Sequence, residues 1–340
     1  MSNITHKNHY VPQFYLRNWS SDGNKIWVYS LLVPDSKVPY WKEKSIETTA
    51  VWNDLYTRYN GITEVDDFEK WFNKEFETPA EPVIKKLING EKITRQEEIK
   101  VTHFVAAQSI RVPAKVGHIL DISYKCASNV LSSNIFSELN KQKIDEYRLD
   151  CSNLEDENFD ELLPIRVKID RENSCAEVNT TIGRGYYLYA LKYLLTETLS
   201  KIESHRWQVI HSAENISFPT TDNPVVCLNY RGINDYDFNG GWGRINGNII
   251  MPISPKCLFY TQIGSDAKFE EADYSPFWSE FFRKIIIEHA YRFVYAAERQ
   301  KGMLAINPRY VNLKLYLEEK NKMADWNDEQ IKAEQDILNG

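Results

Sequence analysis

The apolar residues of this chain change their spacing near residue 206, and this change constrains the fold most strongly. Before it, apolar residues recur at steps of three and four, as on the buried face of a helix. After it, β-branched and aromatic runs alternate with Gly, Asn and Pro, at 207–210, 216–219, 225–228, 248–253 and 258–261. Because helices and strands are segregated, we predict an α+β fold: a helical N-terminal and middle portion packed on a mostly antiparallel sheet formed by the region after residue 205.

Local signals define the predicted helices. Thr94 and Glu97 form a T-x-x-E capping box, which predicts a helix that starts there and runs towards Pro113. Pro79 and Pro82 are expected to divide an earlier helical segment, because proline has no N–H to donate. The other predicted helical segments are 64–88, 114–149, 186–204 and 276–289.

The chain is expected to form one main unit with an appendage. We assign residues 1–313 to a single α+β domain and 314–340 to a polar helical C-terminal tail, anchored by Leu317 and Trp326. The acidic stretch 151–160 is expected to be an exposed connection.

The N-terminal segment His9–Trp19 is too aromatic for a frayed terminus. Pro12 suits the start of a helix, which we predict from there to about residue 19. Phe14, Leu16 and Trp19 are then available for burial, while His9, Gln13 and Arg17 follow one another at four-residue spacing, in the sequence order H-x-x-x-Q-x-x-x-R. We therefore expect this segment to dock on the body of the protein and to bring His9 and Gln13 to a polar site.

Composition and charge narrow the classes of function. The net charge of −7 argues against a broad nucleic-acid-binding surface, although it leaves room for a metal-dependent nuclease with an acidic site. Five cysteines without a C-x-x-C pair indicate reduced thiols, and Cys227 and Cys257 are expected in the core. Without an apolar leader or a spanning run, we expect a cytoplasmic protein with no membrane contact.

The turn Thr220–Pro224 is the first candidate for chemistry. It would place the Asp222 carboxylate and the Asn223 amide at the end of a strand, with the backbone fixed by proline. An ordinary Asx turn is the alternative, because Asp and Asn before Pro are common turn formers.

The end of the capped helix is the second candidate. Gln108 and Arg111 continue a line of apolar residues, so an arginine is expected to point inward. An unpaired interior arginine is costly, so either a carboxylate such as Asp222 pairs with it or the stripe opens onto a cavity. A purely structural ion pair remains the alternative.

These motifs together resemble those of a known family. The opening HYVPQFYLRNW, the Q-x-x-R-x-P helix end at 108–113, the TDNPV turn at 221–225 and the PISP segment at 252–255 resemble the family called domain of unknown function 4238, found mainly in bacteria. The resemblance extends over most of the chain, and it implies no known activity. It singles out polar residues in three separate segments, namely His9, Gln13, Arg111, Asp222 and Asn223, a combination that suits phosphate or nucleotide chemistry.

Two functions are therefore carried forward. The first is a hydrolase of nuclease or phosphohydrolase type, with His9 as general acid or base, Asp222 as base or ligand of a divalent metal, and Arg111 as clamp for phosphate. Gln13, Gln108 and Asn223 would orient a nucleic-acid or nucleotide substrate. The second is a non-catalytic binding or sensory subunit of a bacterial multi-component system, for example in defence. Contact with a protein partner through the tail after Lys314, or with a second copy of the chain, is a further alternative.

Overall fold

A computed structural model of the chain describes residues 4–60, 63–132, 165–170 and 175–339. Its α-helices are α1 (Gln13–Leu16), α2 (Asp67–Trp71), α3 (Thr78–Ile88), α4 (Arg95–Ile110), α5 (Pro113–Ser132), α6 (Arg184–Glu197), α7 (Leu199–Glu203), α8 (Pro276–Glu288), α9 (Met303–Ile306) and α10 (Leu313–Asn339).

The strands are short and are spread over the whole chain. They are β1 (Lys7–His9), β2 (Lys25–Ser30), β3 (Leu32–Val33), β4 (Trp41–Ser45), β5 (Val51–Asn53), β6 (Arg58–Asn60), β7 (Thr63–Val65), β8 (Ile165–Asp170), β9 (Cys175–Thr180), β10 (Gln208–His211), β11 (Thr220–Thr221), β12 (Val226–Gly232), β13 (Asp235–Asp237), β14 (Asn248–Ser254), β15 (Cys257–Gln262), β16 (Phe293–Ala296) and β17 (Tyr310–Val311).

Two antiparallel sheets organise these strands. The larger has the order β10-β15-β14-β12-β13, and the smaller has the order β11-β16-β2-β4. The short pairs are β1 with β5, β6 with β7, β8 with β9, and the parallel pair β3 with β17. The predicted α+β class is confirmed. The prediction of one sheet from the region after residue 205 is too simple, because β2 and β4 from the N-terminal part complete the second sheet and 216–219 forms no strand.

Strand β14 lies at the centre of the core and is buried along its whole length. Ile249, Met251 and Ile253 belong to the main apolar cluster with the helices, whereas Ile250 packs on the other face with Phe281 and Phe282 of α8. Because successive side chains of a strand point to opposite faces, a strand covered on both sides needs a continuous apolar run.

The N-terminal segment docks on the sheets, as predicted, through α1 and a following 3₁₀ turn at Arg17–Trp19. Leu16 and Trp19 are fully buried, and the Trp19 indole N–H donates to the Phe218 carbonyl at 2.8 Å. Tyr15 takes the deep position expected for Phe14: its hydroxyl donates to the Pro252 carbonyl at 2.6 Å, because a buried phenol needs a hydrogen-bond partner. Phe14 packs at the edge, on Phe104.

The helix predicted over 64–88 begins at Asp67 and is continuous through both prolines, so the expected division is wrong. A π-helical stretch, Phe72–Glu77, joins α2 to α3. Pro79 lies in the first turn of α3, where an N–H has no intrahelical partner, and Pro82 lies inside that helix. The capping box at the start of α4 is confirmed: the Thr94 side chain accepts from the Glu97 N–H, and the Glu97 carboxylate accepts from the Thr94 N–H at 2.8 Å.

The tail after residue 313 is helical and lies against the core. Trp326 is buried and contacts the Trp52 ring with a centroid distance of 5.6 Å, whereas Leu317, the other expected anchor, is exposed. The acidic stretch 151–160 and the predicted helix beyond Ser132 lie outside the described residues.

Candidate ligand cavity

Asp222 directly follows β11 and is almost completely buried. Its Oδ1 accepts from the Tyr291 N–H at 2.9 Å and its Oδ2 from the Arg292 N–H at 2.7 Å. Burial raises the pKa of this carboxyl to about 7, although the backbone N–H groups favour the ionised form and lower it. The Asp222 carboxylate, at the expected Asx-type turn, therefore holds the connection between α8 and β16. It carries a proton for part of the time at neutral pH.

Asn223 pairs with His289, the residue that follows α8. The Asn223 carbonyl accepts from His289 Nδ1 at 3.1 Å, and its side-chain Nδ2 lies 3.3 Å from His289 Nε2. Nδ1 therefore carries the proton and Nε2 accepts. Burial, together with the charge of Lys115, lowers the pKa of His289 to about 4. This histidine is neutral at pH 7 and fixes the turn.

Arg111 points inward from the end of α4, as predicted, and its carboxylate partner is Glu77. The two side chains meet at 2.8 Å, and the guanidinium lies 4.9 Å from the centroid of the Phe72 ring. Gln108, with its amide oxygen facing the guanidinium, accepts from Arg111 Nη2 at 2.9 Å. The expectation that Asp222 would be the partner is wrong, because Arg111 pairs with Glu77, which lies on the neighbouring helical segment.

His9 is the last residue of β1. It borders the buried charge cluster that Glu77, Gln108 and Arg111 form, rather than the Asp222 turn. Burial is the main cause that lowers the pKa of His9, and the charges of Glu77 and Arg111 both act on it. Its Nε2 has no hydrogen-bond partner in the part of the chain that the structure describes. Nearby Glu69 has its pKa raised to about 7 by burial and by Glu77, against the opposing charge of Arg111.

Gln13 lies at the surface, where its Oε1 accepts from Arg17 Nη2 at 3.2 Å. The structure therefore divides the six candidate residues among three places: His9, Gln108 and Arg111 in the charge cluster, Asp222 and Asn223 in the turn, and Gln13 at the surface. The arrangement predicted from sequence, in which His9 and Gln13 meet Arg111 and Asp222, is not what the structure has. The catalytic and binding roles assigned to these residues stay predictions.

Asp222 also lines a cavity of about 330 Å³ between the sheet, α5 and α10. Six aromatic side chains line it: Tyr10, Trp52, Tyr291, Phe293, Tyr316 and Trp326. Charged side chains at the same cavity are Arg292, Glu319, Lys320 and Lys322. Cavities of this size bind small organic molecules in many proteins.

The cavity could not be located from the sequence, because its walls come from seven separated segments. Tyr10 lies in the aromatic opening segment, but Trp52 and Tyr291 carry no distinguishing motif. Trp326 offers the best sequence signal, as the one tryptophan in a polar helix.

The tail helix α10 is held on both sides of the cavity. Arg292 Nε donates to Glu319 at 2.7 Å. Farther along α10, the fully buried Arg184 bonds Asn327 at 2.6 Å and Glu334 at 2.8 Å.

Comparison with known proteins gives one match. The family model described as "Protein of unknown function (DUF4238)" matches residues 7–300. Neither the curated proteins nor the solved structures contain a match. Within the described ranges, no helix is both long enough and apolar enough to cross a membrane. The same residues contain no group of three or more His, Cys, Asp or Glu side chains arranged to hold a metal ion.

Proposed function

We propose, for a chain that belongs to the DUF4238 family, that its function is to bind a small planar organic molecule in the cavity beneath α10. The observation that carries this proposal is the aromatic-lined cavity of about 330 Å³ with the Asp222 carboxylate in its wall. In this proposal the protein is a binding or sensory component, and the bound molecule is its signal.

The chemistry of the walls favours a ring that carries hydrogen-bond donors. Tyr and Trp faces stack on planar rings and bury large apolar areas. Each Asp222 oxygen already accepts one backbone N–H and has a further lone pair for a ligand N–H. Lys320 and Lys322 suit an anionic group at the α10 side. A nucleotide combines a donor-bearing ring with such a group, so it is the ligand class that we would test first.

The positions of the other candidates favour binding over hydrolysis. His9 and Arg111 belong to the buried charge cluster, where Arg111 is occupied by Glu77 and Gln108. Asp222 therefore lacks His9 and Arg111, the two partners with which it would act in the hydrolase hypothesis. The defence context and the cytoplasmic location remain predictions from the sequence.

The test is a calorimetric titration of the purified protein with AMP, GMP, CMP and UMP. We expect saturable binding of at least one, weakened at least tenfold in Asp222→Asn and unchanged in Asp325→Asn, an exposed acid on α10 that serves as the matched control. Circular dichroism verifies that both variants fold. Absence of saturable binding, or equal affinity in both variants, would contradict the proposal.

Hydrolysis remains a second candidate because of one property of the cavity. Burial raises the pKa of Asp222 to about 7, the range in which a carboxylate serves best as general base near neutral pH. Wild type, His9→Ala and Asp222→Ala are incubated with DNA, RNA and nucleotides in Mg²⁺ or Mn²⁺. Turnover that Asp222→Ala abolishes supports this candidate. Turnover unchanged by both substitutions, or absent from folded wild type, rejects it.

A further inference from the structure

We propose that α10 is a lid whose docking is coupled, through Arg292, to what Asp222 binds. This inference concerns the regulation of the ligand cavity and rests on the proposed function. In this proposal, the docking of the C-terminal helix depends on whether the cavity is occupied.

Arg292 connects the carboxylate and the helix directly. Its backbone N–H donates to Asp222 Oδ2 at 2.7 Å, while its side-chain Nε donates to Glu319 on α10 at 2.7 Å. The guanidinium also lies 4.3 Å from the centroid of the Tyr291 ring, which lines the cavity. A change at the Asp222 carboxylate therefore acts on the same residue that holds the first turns of α10.

The far half of α10 is fixed by a second polar contact. The Arg184 N–H donates to Gln330 Oε1 at 2.7 Å, and its guanidinium binds Asn327 and Glu334. A Cβ at Gly183 would displace the Gln330 Oε1 that accepts from the Arg184 N–H. Between the two arginine contacts, Trp326 packs on Trp52 at the cavity wall. The helix is therefore a specifically docked cover rather than a loosely attached tail.

Helix α10 follows the last strands of both sheets in the chain. The family match ends at residue 300, before α10 begins at Leu313. Much of the surface of α10 away from the cavity is exposed and charged, with Glu318, Asp325 and Asp328 among its exposed residues. Undocking it would break the two arginine contacts and expose Trp326 while leaving both sheets intact. Terminal helices with such limited contacts open at a lower free energy than a core strand.

Coupling of this kind is reciprocal. A ligand that favours the docked helix lowers the population of the undocked state, and undocking of the helix lowers the affinity for the ligand by the same factor. Coupling free energies in proteins correspond typically to factors of about 5 to 150. The backbone amides of α10 give a direct measurement, because their hydrogen exchange follows the population of the undocked state.

The experiment measures hydrogen exchange of α10 in the full chain, with Glu319→Gln as the test variant. Glu318→Gln is the matched control, since Glu318 is its neighbour on α10 but is exposed and pairs with Lys314, at 3.8 Å. We expect Glu319→Gln to accelerate exchange about 1.4- to 5-fold, the effect of a partly exposed ion pair, and the control to leave it unchanged. Equal exchange in the two variants would overturn the proposal.

Asp222→Asn tests the coupling without a ligand. Its carboxylate bonds Tyr291 and Arg292 rather than α10, so accelerated exchange in α10 but not in β14 supports the connection. Unchanged exchange in α10 rejects it.

Addition of a nucleoside monophosphate separates the two proposals. Binding that slows α10 exchange supports both, and binding that leaves the exchange unchanged overturns the lid while the binding function stands. If none of the four monophosphates binds, the proposed nucleotide function fails, and the Asp222→Asn result alone decides whether the turn and the helix are coupled.

Discussion

Glu77→Gln is expected to be strongly destabilising, because it leaves the Arg111 charge without its carboxylate in the interior. The Arg111 side chain is 1% exposed and that of Glu77 is 15% exposed, at a distance of 2.8 Å. Removal of one partner from such a buried pair costs about 3–5 kcal/mol, mainly through the desolvation of the remaining charge. The Gln108 oxygen and the Phe72 ring remain to contact Arg111, so the lower part of this range is expected.

The expected shift in melting temperature follows from the size of the chain. An unfolding entropy of about 2.1 cal/mol/K per residue over 340 residues gives about 0.7 kcal/mol/K. The loss of 3–5 kcal/mol therefore lowers the Tm by about 4–7 °C. Scanning calorimetry or thermal circular dichroism measures it.

The control is Glu81→Gln on the same helix. Glu81 and Lys85 also meet at 2.7 Å, but their side chains are 38% and 65% exposed, so the pair contributes only about 0.3–0.5 kcal/mol. The double variant Glu77→Gln/Arg111→Met removes the stranded charge and should recover most of the lost stability. Equal Tm values for Glu77→Gln and Glu81→Gln, or no recovery in the double variant, would refute a structural role for this pair.

Three further predictions concern pH, capping and the tail. Burial raises the pKa of Glu69 to about 7, so the folded state keeps a proton that the unfolded state releases, and stability is lost as pH rises from about 4 through 7. Glu69→Gln should flatten that part of the curve of unfolding free energy against pH, and the exposed Glu75→Gln should leave it unchanged. Thr94→Ala removes the capping box and should cost about 0.5–2 kcal/mol in denaturant unfolding, whereas Thr94→Ser should retain most of the stability. Trp326→Ala should make α10 sensitive to limited proteolysis, since its main buried anchor is lost, while Leu317→Ala, at an exposed position, should not; similar digestion of the two variants would contradict the docked position of the helix.

Much of the secondary structure is predictable from local patterns. The capping box at Thr94 and the helical segment predicted at 276–289 give elements that the structure confirms. The division at Pro79 and Pro82 is the main local error, because packing of Phe72 and Phe76 into the core keeps the helix continuous through a π-helical stretch. The composition of a proline-containing segment does not reveal whether tertiary contacts will offset the lost hydrogen bonds.

The candidate site shows where sequence reasoning stops. It identifies Arg111 as an inward-pointing arginine and Asp222 as a turn carboxylate, and both are buried. It pairs them wrongly, because the sequence gives no distance between residues that are far apart in the chain, and Glu77 lies nearer. The cavity beside Asp222 likewise depends on Trp52 and Trp326, which are far apart in the sequence and in contact in the folded protein.

The sequence by itself thus determines the α+β class, the starts of the clearest helices and the inward direction of its aromatic opening, because hydrophobic period and capping act over a few residues. The tertiary structure decides which charges pair, how strands from both ends share the second sheet, and how α10 covers a cavity at Asp222. These features arise from contacts between distant segments, whose energies depend on burial and distance, and neither quantity is encoded in any one stretch of the chain.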